Sequence, residues 1–327
     1  MTFLPKLGAF SLALALSSAA LAPASAVEMK KATISQAFQS MLYLPLYVAM
    51  DEGFFEKQGL DLSKESAGSG SVALSAVISK SAQFSLHGPE WTAIAASKGA
   101  PVNTIANVVN GAAVWIAATP DFKFDSVKDL KGQKIVTGLM PTTSTSLLIK
   151  LMKENGMDAN KDVEMIQVPL GTEPGPFVAG QAKVAVMYEP GLDQVVAKGM
   201  KVVLGFPKLY GPYAFSTITA RTDVDPDLAQ RLTNGLEMAV RFMHKNEART
   251  IEIAQKEFPK LDPDVVAAAT KRMLADNVYP TSVDITPAAL TLALDTQIAL
   301  GNLSGQPDYK TFVPRTYMDK AMAMPTN

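Results

Sequence analysis

From residue 32 to residue 99 the chain alternates short β-branched or apolar runs with helical stretches of about ten to fifteen residues. ATISQAF is followed by LPLYVAMDEGFFEKQG, then LDLSKES, a helix opened by SAGSGSVALSAV, AQFSLHG and PEWTAIAASKG. Such alternation predicts βα units on a parallel sheet. Proline and glycine punctuate it: Pro45 and Pro89 suit first helical turns, and Gly59 and Gly99 stand just past helix ends. A second series starts near Lys131, with GQKIVTG, TTSTSLLIKLMKENGM, DVEMIQV, TEPGPFVAGQA, KVAVMYE, PGLDQVVAKG and KVVLGF. It predicts a second, smaller α/β lobe.

Two apolar runs, residues 114–118 and 214–220, lie between and after the series and are expected to carry the chain across and back. From Asp225 onward the period changes to that of amphipathic helices. Leu228, Leu232, Leu236, Val240 and Met243 recur at helical spacing in the first of them, and this block is expected to pack on the first lobe. The expected organisation is α/β with a leader over residues 1–26, a first lobe over 27–116, a second over 117–216, and the first lobe's return with the helical part over 217–327.

The N-terminus changes the picture next. Lys6, an apolar run over about residues 7–21 and the small triplet Ala24-Ser25-Ala26 form the pattern of a secretory signal peptide cut after Ala26. The run falls short of the ~18–20 residues that span a bilayer. Zero cysteines remove disulfides, thiolate metal sites, a cysteine nucleophile and a lipid-modified N-terminal cysteine. A free periplasmic protein is therefore expected, without membrane insertion after cleavage. A formal net charge of -1 supplies no basic field for nucleic acid or anionic lipid, and two histidines with no cysteine leave too few soft ligands for a zinc site, while counting alone leaves a carboxylate-rich calcium site open.

Candidate chemistry sits at helix starts, where unpaired N–H groups and the positive end of the peptide dipoles favour an anion or strong acceptor. The turn with Gly68, Ser69, Gly70 and Ser71 is one such start; Ala73 replaces the third glycine of a dinucleotide fingerprint. Its hydroxyls either cap the helix or meet a ligand. Five consecutive hydroxyl residues, Thr142, Thr143, Ser144, Thr145 and Ser146, open a helix in the second lobe and leave the same choice. Two facing starts would grip one small polar molecule from both sides.

Among the aromatics, Tyr47, Phe54 and Phe55 lie on an apolar helical face and read as core, whereas Trp91, Tyr188 and Tyr213 have polar, loop-like neighbours and read as cleft wall. Glu90 and Glu189 are the carboxylates nearest that cleft and suit an amine or aminopyrimidine-like edge, with a structural hydrogen bond as the plainer role of Glu189. His87 is either a ligand donor or a satisfied strand-end histidine. No arginine precedes Arg221, so an anion here would rest on N–H groups, hydroxyls or lysine.

The segments LPLYVAMDEGFFEKQGLDL, AGSGSVALSAVISKSAQFSLHGPEWTAIAASKG, DLKGQKIVTGLMPTTSTS and FVAGQAKVAVMYEPGLDQVVAKG run in order over about residues 33–220. In this the chain resembles the periplasmic solute-binding proteins of ABC importers, in the nitrate/sulfonate/taurine and thiamine-pyrimidine-precursor group. The resemblance implies the two-lobed periplasmic binding protein fold (type II), a cleft between lobes joined by two crossing strands, hinge closure on the ligand, and delivery to a membrane permease with its own ATPase subunits. It implies a monomer that needs no cofactor. Carried over residue by residue, the family's ligand-contacting regions fall on Gln39 and Tyr43, on Gly68, Ser69, Gly70 and Ser71, on Gly88, Pro89, Glu90 and Trp91, on Thr142, Thr143, Ser144 and Thr145, and on Tyr188 and Glu189.

The missing arginines depart from sulfonate-type members. The expected ligand is first a small organic or inorganic anion (a sulfonate, an aromatic or other carboxylate, or a nitrate-like ion), and second an aminopyrimidine-like or other heteroaromatic compound. Enzymes on the same fold, a thiamine-pyrimidine synthase with a cysteine-rich motif and enzymes of menaquinone synthesis, are the competing class. The export signal and the absence of cysteine weigh against them.

Overall fold

Among the described residues, ten strands form two five-stranded sheets of the same design. The structure is a computed structural model that describes residues 1–2, 28–140 and 142–325. The apolar run and cleavage triplet of the expected leader, and Pro141, lie outside those residues.

The first sheet contains β1 (Lys30–Gln36), β2 (Leu60–Ser66), β3 (Phe84–His87), β4 (Val102–Gly111) and β10 (Pro212–Arg221), in the order β2-β1-β3-β10-β4. The second contains β5 (Trp115–Ala118), β6 (Lys134–Gly138), β7 (Glu164–Val168), β8 (Val184–Met187) and β9 (Lys201–Gly205), in the order β7-β6-β8-β5-β9. In each, three parallel strands are followed by one antiparallel strand, β10 or β5, inserted before the edge. The central strands FSLH, WIAA and VAVM are buried at every position, as strands covered by helices on both faces must be.

The crossings differ from the expectation. Residues 114–118 and 214–220 are almost wholly strand, each within one sheet, and the chain passes between sheets at residues 112–114 and 206–211. A continuous apolar run marks a strand covered on both faces, and the link itself is short. The two links are joined to each other, Phe206 N–H donating to Val114 O at 3.0 Å.

The helical block packs on the first sheet as its period predicts. In the Pro226–Lys245 helix Leu232, Leu236, Val240 and Met243 are fully buried and Leu228 partly so. Gly235 lets the first lobe approach, because a Cβ there would stand 2.4 Å from Phe55 Cδ1. The block also touches the other half. The Pro263–Ala275 helix packs on Gly191–Val196, where Arg272 Nε donates to Glu189 Oε1 at 2.8 Å and Nη2 to Asp193 Oδ1 at 2.5 Å.

Candidate ligand-binding cleft

The loops that leave the carboxyl ends of β1, β2, β3, β6, β7 and β8 converge between the sheets, where open α/β sheets place their ligands. On the first side, Ser69 caps the Gly70–Ile78 helix, its Oγ accepting from Val72 N–H at 3.3 Å. Gly68 precedes it at φ +89°, a left-handed conformation that favours glycine. Gly70 has no room for a side chain, because a Cβ would lie 2.7 Å from the Trp91 ring. At the next helix start, Pro89–Ser97, Glu90 folds back over Gly88; a Cβ on Gly88 would meet Glu90 Oε2 at 2.2 Å.

On the second side, the Thr143–Glu154 helix begins one short loop after β6. Its Ser144 N–H donates to the Tyr188 hydroxyl at 2.8 Å. This binds the end of β8 to the helix's first turn and leaves one fewer free N–H at the start.

These pieces enclose a chamber of about 250 Å³. Its lining includes Tyr43, Gly68, Ser69, Gly70, Gly88, Glu90 and Trp91 from the first half, Thr142, Thr143 and Tyr188 from the second, and Phe215 and Ser216 from β10. It shares Phe38, Leu42, Gly68, Leu170 and Tyr188 with an outer chamber of about 620 Å³.

The remaining expected residues are elsewhere. Gln39 borders the outer chamber, with its amide held by Gln36 and Glu257. Ser71 is exposed and pairs with Ser69 Oγ. Ser144 and Thr145 are fully buried: Ser144 Oγ pairs with Thr142 Oγ1, and Thr145 Oγ1 sits on Thr137 and Gly138 O, closing the helix onto β6. A hydroxyl run turns through 100° per residue once helical, so it cannot all face one cleft. Glu189 borders the outer chamber, but its carboxylate is spent on Arg272 and on the Asp193 N–H. Tyr213 is buried behind Phe215, with its hydroxyl directed to Ala293 O at 3.4 Å, and does not line either chamber.

His87 resolves to the satisfied alternative. Nδ1–H donates to Gly88 O, and Nε2 therefore accepts from Ser85 Oγ, both at 2.9 Å. Burial pushes its pKa down to about 4, so it is neutral at physiological pH.

Glu90 has no comparable partner. Burial pushes its pKa up to about 7, opposed by a hydrogen bond from its own N–H. No lysine or arginine lines the inner chamber among the described residues. The chamber is thus aromatic, hydroxyl-lined and acidic.

Sequence reasoning missed Ser216 and Glu173. Glu173 stands at the N-cap position of the Pro174–Val178 helix after β7, without a side-chain capping bond, where Ser69 stands after β2 in the first sheet. The repeated strand order was the signal that would have found it.

A family model described as NMT1/THI5 like matches residues 41–250. The chain belongs to this family. The match takes in the helix starts of the first half, the second sheet and β10, so the family segment carries most of the inner chamber's lining. The chain is 25% identical over 262 residues to YtlA of Bacillus subtilis (strain 168), named as a binding protein, covering 77% of this chain and 78% of that one. Among solved structures, the periplasmic aliphatic sulphonate binding protein SsuA from Escherichia coli superposes with a TM-score of 0.70 at 15% identity, over 86% of this chain and 91% of that one. The desulfurization enzyme DSZB does so at 0.69 with 13% identity, over 90% and 99%. Both establish the fold, the two-lobed periplasmic binding protein architecture.

Proposed function

We propose that this protein is the periplasmic substrate-binding component of an ABC importer and that its ligand is a small planar nitrogen base. It would capture that compound between its lobes and hand it to a membrane permease. Family membership and the two-sheet architecture support the receptor role. Loops from both halves meet at one chamber, so a ligand touching both favours the closed state by its differential affinity for it.

Glu90 carries the ligand reading. A half-buried carboxylate with no cation beside it gains most from a ligand that brings one, or that offers paired N–H donors. Trp91 and Tyr43 supply flat walls for a ring. The chamber lies below the ~300 Å³ at which drug-sized sites begin, which favours a compact compound. Of the two classes left open by the sequence, the heteroaromatic one fits this geometry better than an anion, which would face Glu90 with no arginine or lysine to offset it.

A catalytic role is less well supported. Ser85 and His87 form a hydrogen-bonded pair, but Ser85 does not line the chamber and the second histidine nitrogen faces a carbonyl instead of an orienting carboxylate. A thermal-shift screen of the purified protein tests the reading, because a ligand bound to the native state raises its melting temperature. Benzamidine and 4-aminopyrimidine should raise it; taurine, nitrate and benzoate should not. The reverse ranking would reject the assignment.

A further inference from the structure

The outer chamber holds a second acidic group, one of whose oxygens is left without a partner. Glu173 is 1% exposed and lines this chamber, and its Oε1 has no hydrogen-bond partner among the described residues. Burial pushes its carboxyl above the ordinary range, against the N–H groups of Glu173 and Gly171. The other charged groups around the chamber are accounted for. Glu189 is held by Arg272 and Glu257 by Lys64 and Gln39, while Lys260 is exposed at the lip. Glu173 is therefore the orphan, and a buried carboxylate oxygen without a donor is costly to keep.

Its position relates it to the inner site. The field of Glu173 reaches the Tyr188 hydroxyl, and Tyr188 is one of the side chains common to both chambers. Two carboxylates thus line adjoining chambers, Glu90 the inner and Glu173 the outer, with Phe38 and Tyr188 among the side chains that the two share.

We propose that the outer chamber is a second subsite of the cleft, in which Glu173 receives an amine arm of a two-headed base whose planar head sits against Glu90. This rests on the ligand reading above and sharpens it: the ligand carries two separated cationic or N–H-rich groups. Glu173 comes from the second lobe and Glu90 from the first, so such a ligand ties the lobes together through one charge on each side. A single-headed base would lack the second tie.

Calorimetry on the full protein at pH 8 with two probes, benzamidine and 4-(aminomethyl)benzamidine, tests this. In the wild type the aminomethyl arm should strengthen binding at least about ten-fold, the scale of one charge-assisted hydrogen bond. In Glu173→Gln, which keeps the side chain's shape, the ratio of the two affinities should fall to within about two-fold of unity. If benzamidine binds but the arm adds nothing in the wild type, the second subsite is wrong and the inner-site reading stands. Should neither probe bind, both fail. A ratio that persists in Glu173→Gln also overturns the assignment, and the wild-type comparison decides even if that variant does not fold.

Discussion

The hydroxyl of Tyr188 lies 2.8 Å from the backbone N–H of Ser144, so the end of β8 and the first turn of the Thr143–Glu154 helix are held as one unit in the cleft wall. Tyr188→Phe removes the acceptor and leaves a helix-start N–H unpaired in a half-buried place. The expected loss is roughly 1–3 kcal/mol of stability, read from chemical denaturation, together with weaker binding of any ligand on that wall. Unchanged stability would mean that water replaces the phenol.

Gly88 has an ordinary backbone conformation, φ -65°, so alanine there strains nothing locally. Its Cβ would nevertheless coincide with the Glu90 carboxylate. Gly88→Ala should leave the protein folded and reduce benzamidine affinity about ten-fold or more, because the carboxylate must leave its place. Wild-type affinity in this variant would show that Glu90 sits elsewhere when ligand is bound.

Two groups of the inner chamber, Glu90 half-buried and His87 fully buried, give opposed pH effects. Glu90 titrates at about 7 in the folded protein against an ordinary 4.5, so the folded state holds the extra proton and stability falls as pH rises through that window. His87 is lowered to about 4 from 6.5, so its contribution is lost as pH falls between those values. The two largely offset each other in the wild type. The difference between Glu90→Gln and wild type isolates the first: the variant's relative stability should grow from pH 4.5 to 7 and level off above. A flat difference would place Glu90 in water.

Arg272 is the charge that lets Glu189 and Asp193 stay buried. Burial and the neighbouring Asp193 push the Glu189 pKa up, and Arg272 draws it back down. Arg272→Met should cost about 3–5 kcal/mol and loosen the helical block from the second lobe. The loss should be greater at pH 8 than at pH 5, because without Arg272 the raised Glu189 carboxyl takes up a proton as the pH falls. Adding Glu189→Gln should recover part of it, as equilibrium unfolding of the single and double variants would reveal.

The fold was legible because its signals are local. Alternating periods, Pro45 and Pro89 in first turns and glycines past helix ends set out both sheets and most helix boundaries. Placement at the chamber was legible where a helix start makes the wall, as with Gly68, Ser69, Gly70, Glu90, Trp91 and Thr142, and for the aromatics Tyr43 and Tyr188. Facing was not: Ser71 and Thr145 share those segments but point outward or into the core, and Tyr213 lies one layer behind Phe215. The partner of Glu189 comes from residue 272, a long-range pairing that neither composition nor spacing encodes. Glu173 was hidden for a related reason, since its meaning depends on the second sheet repeating the first.

The central claim is that the Glu90 carboxylate receives the ligand's positive or N–H-donating edge. Its most direct test is the affinity of wild-type protein for benzamidine, a cation throughout this range, measured by calorimetry at pH 6 and at pH 8. Binding should tighten as Glu90 loses its proton, and the trend should vanish in Glu90→Gln. Affinity that is flat or weaker at pH 8 would contradict the claim, as would a nitrate or sulfonate that binds tightly where benzamidine does not.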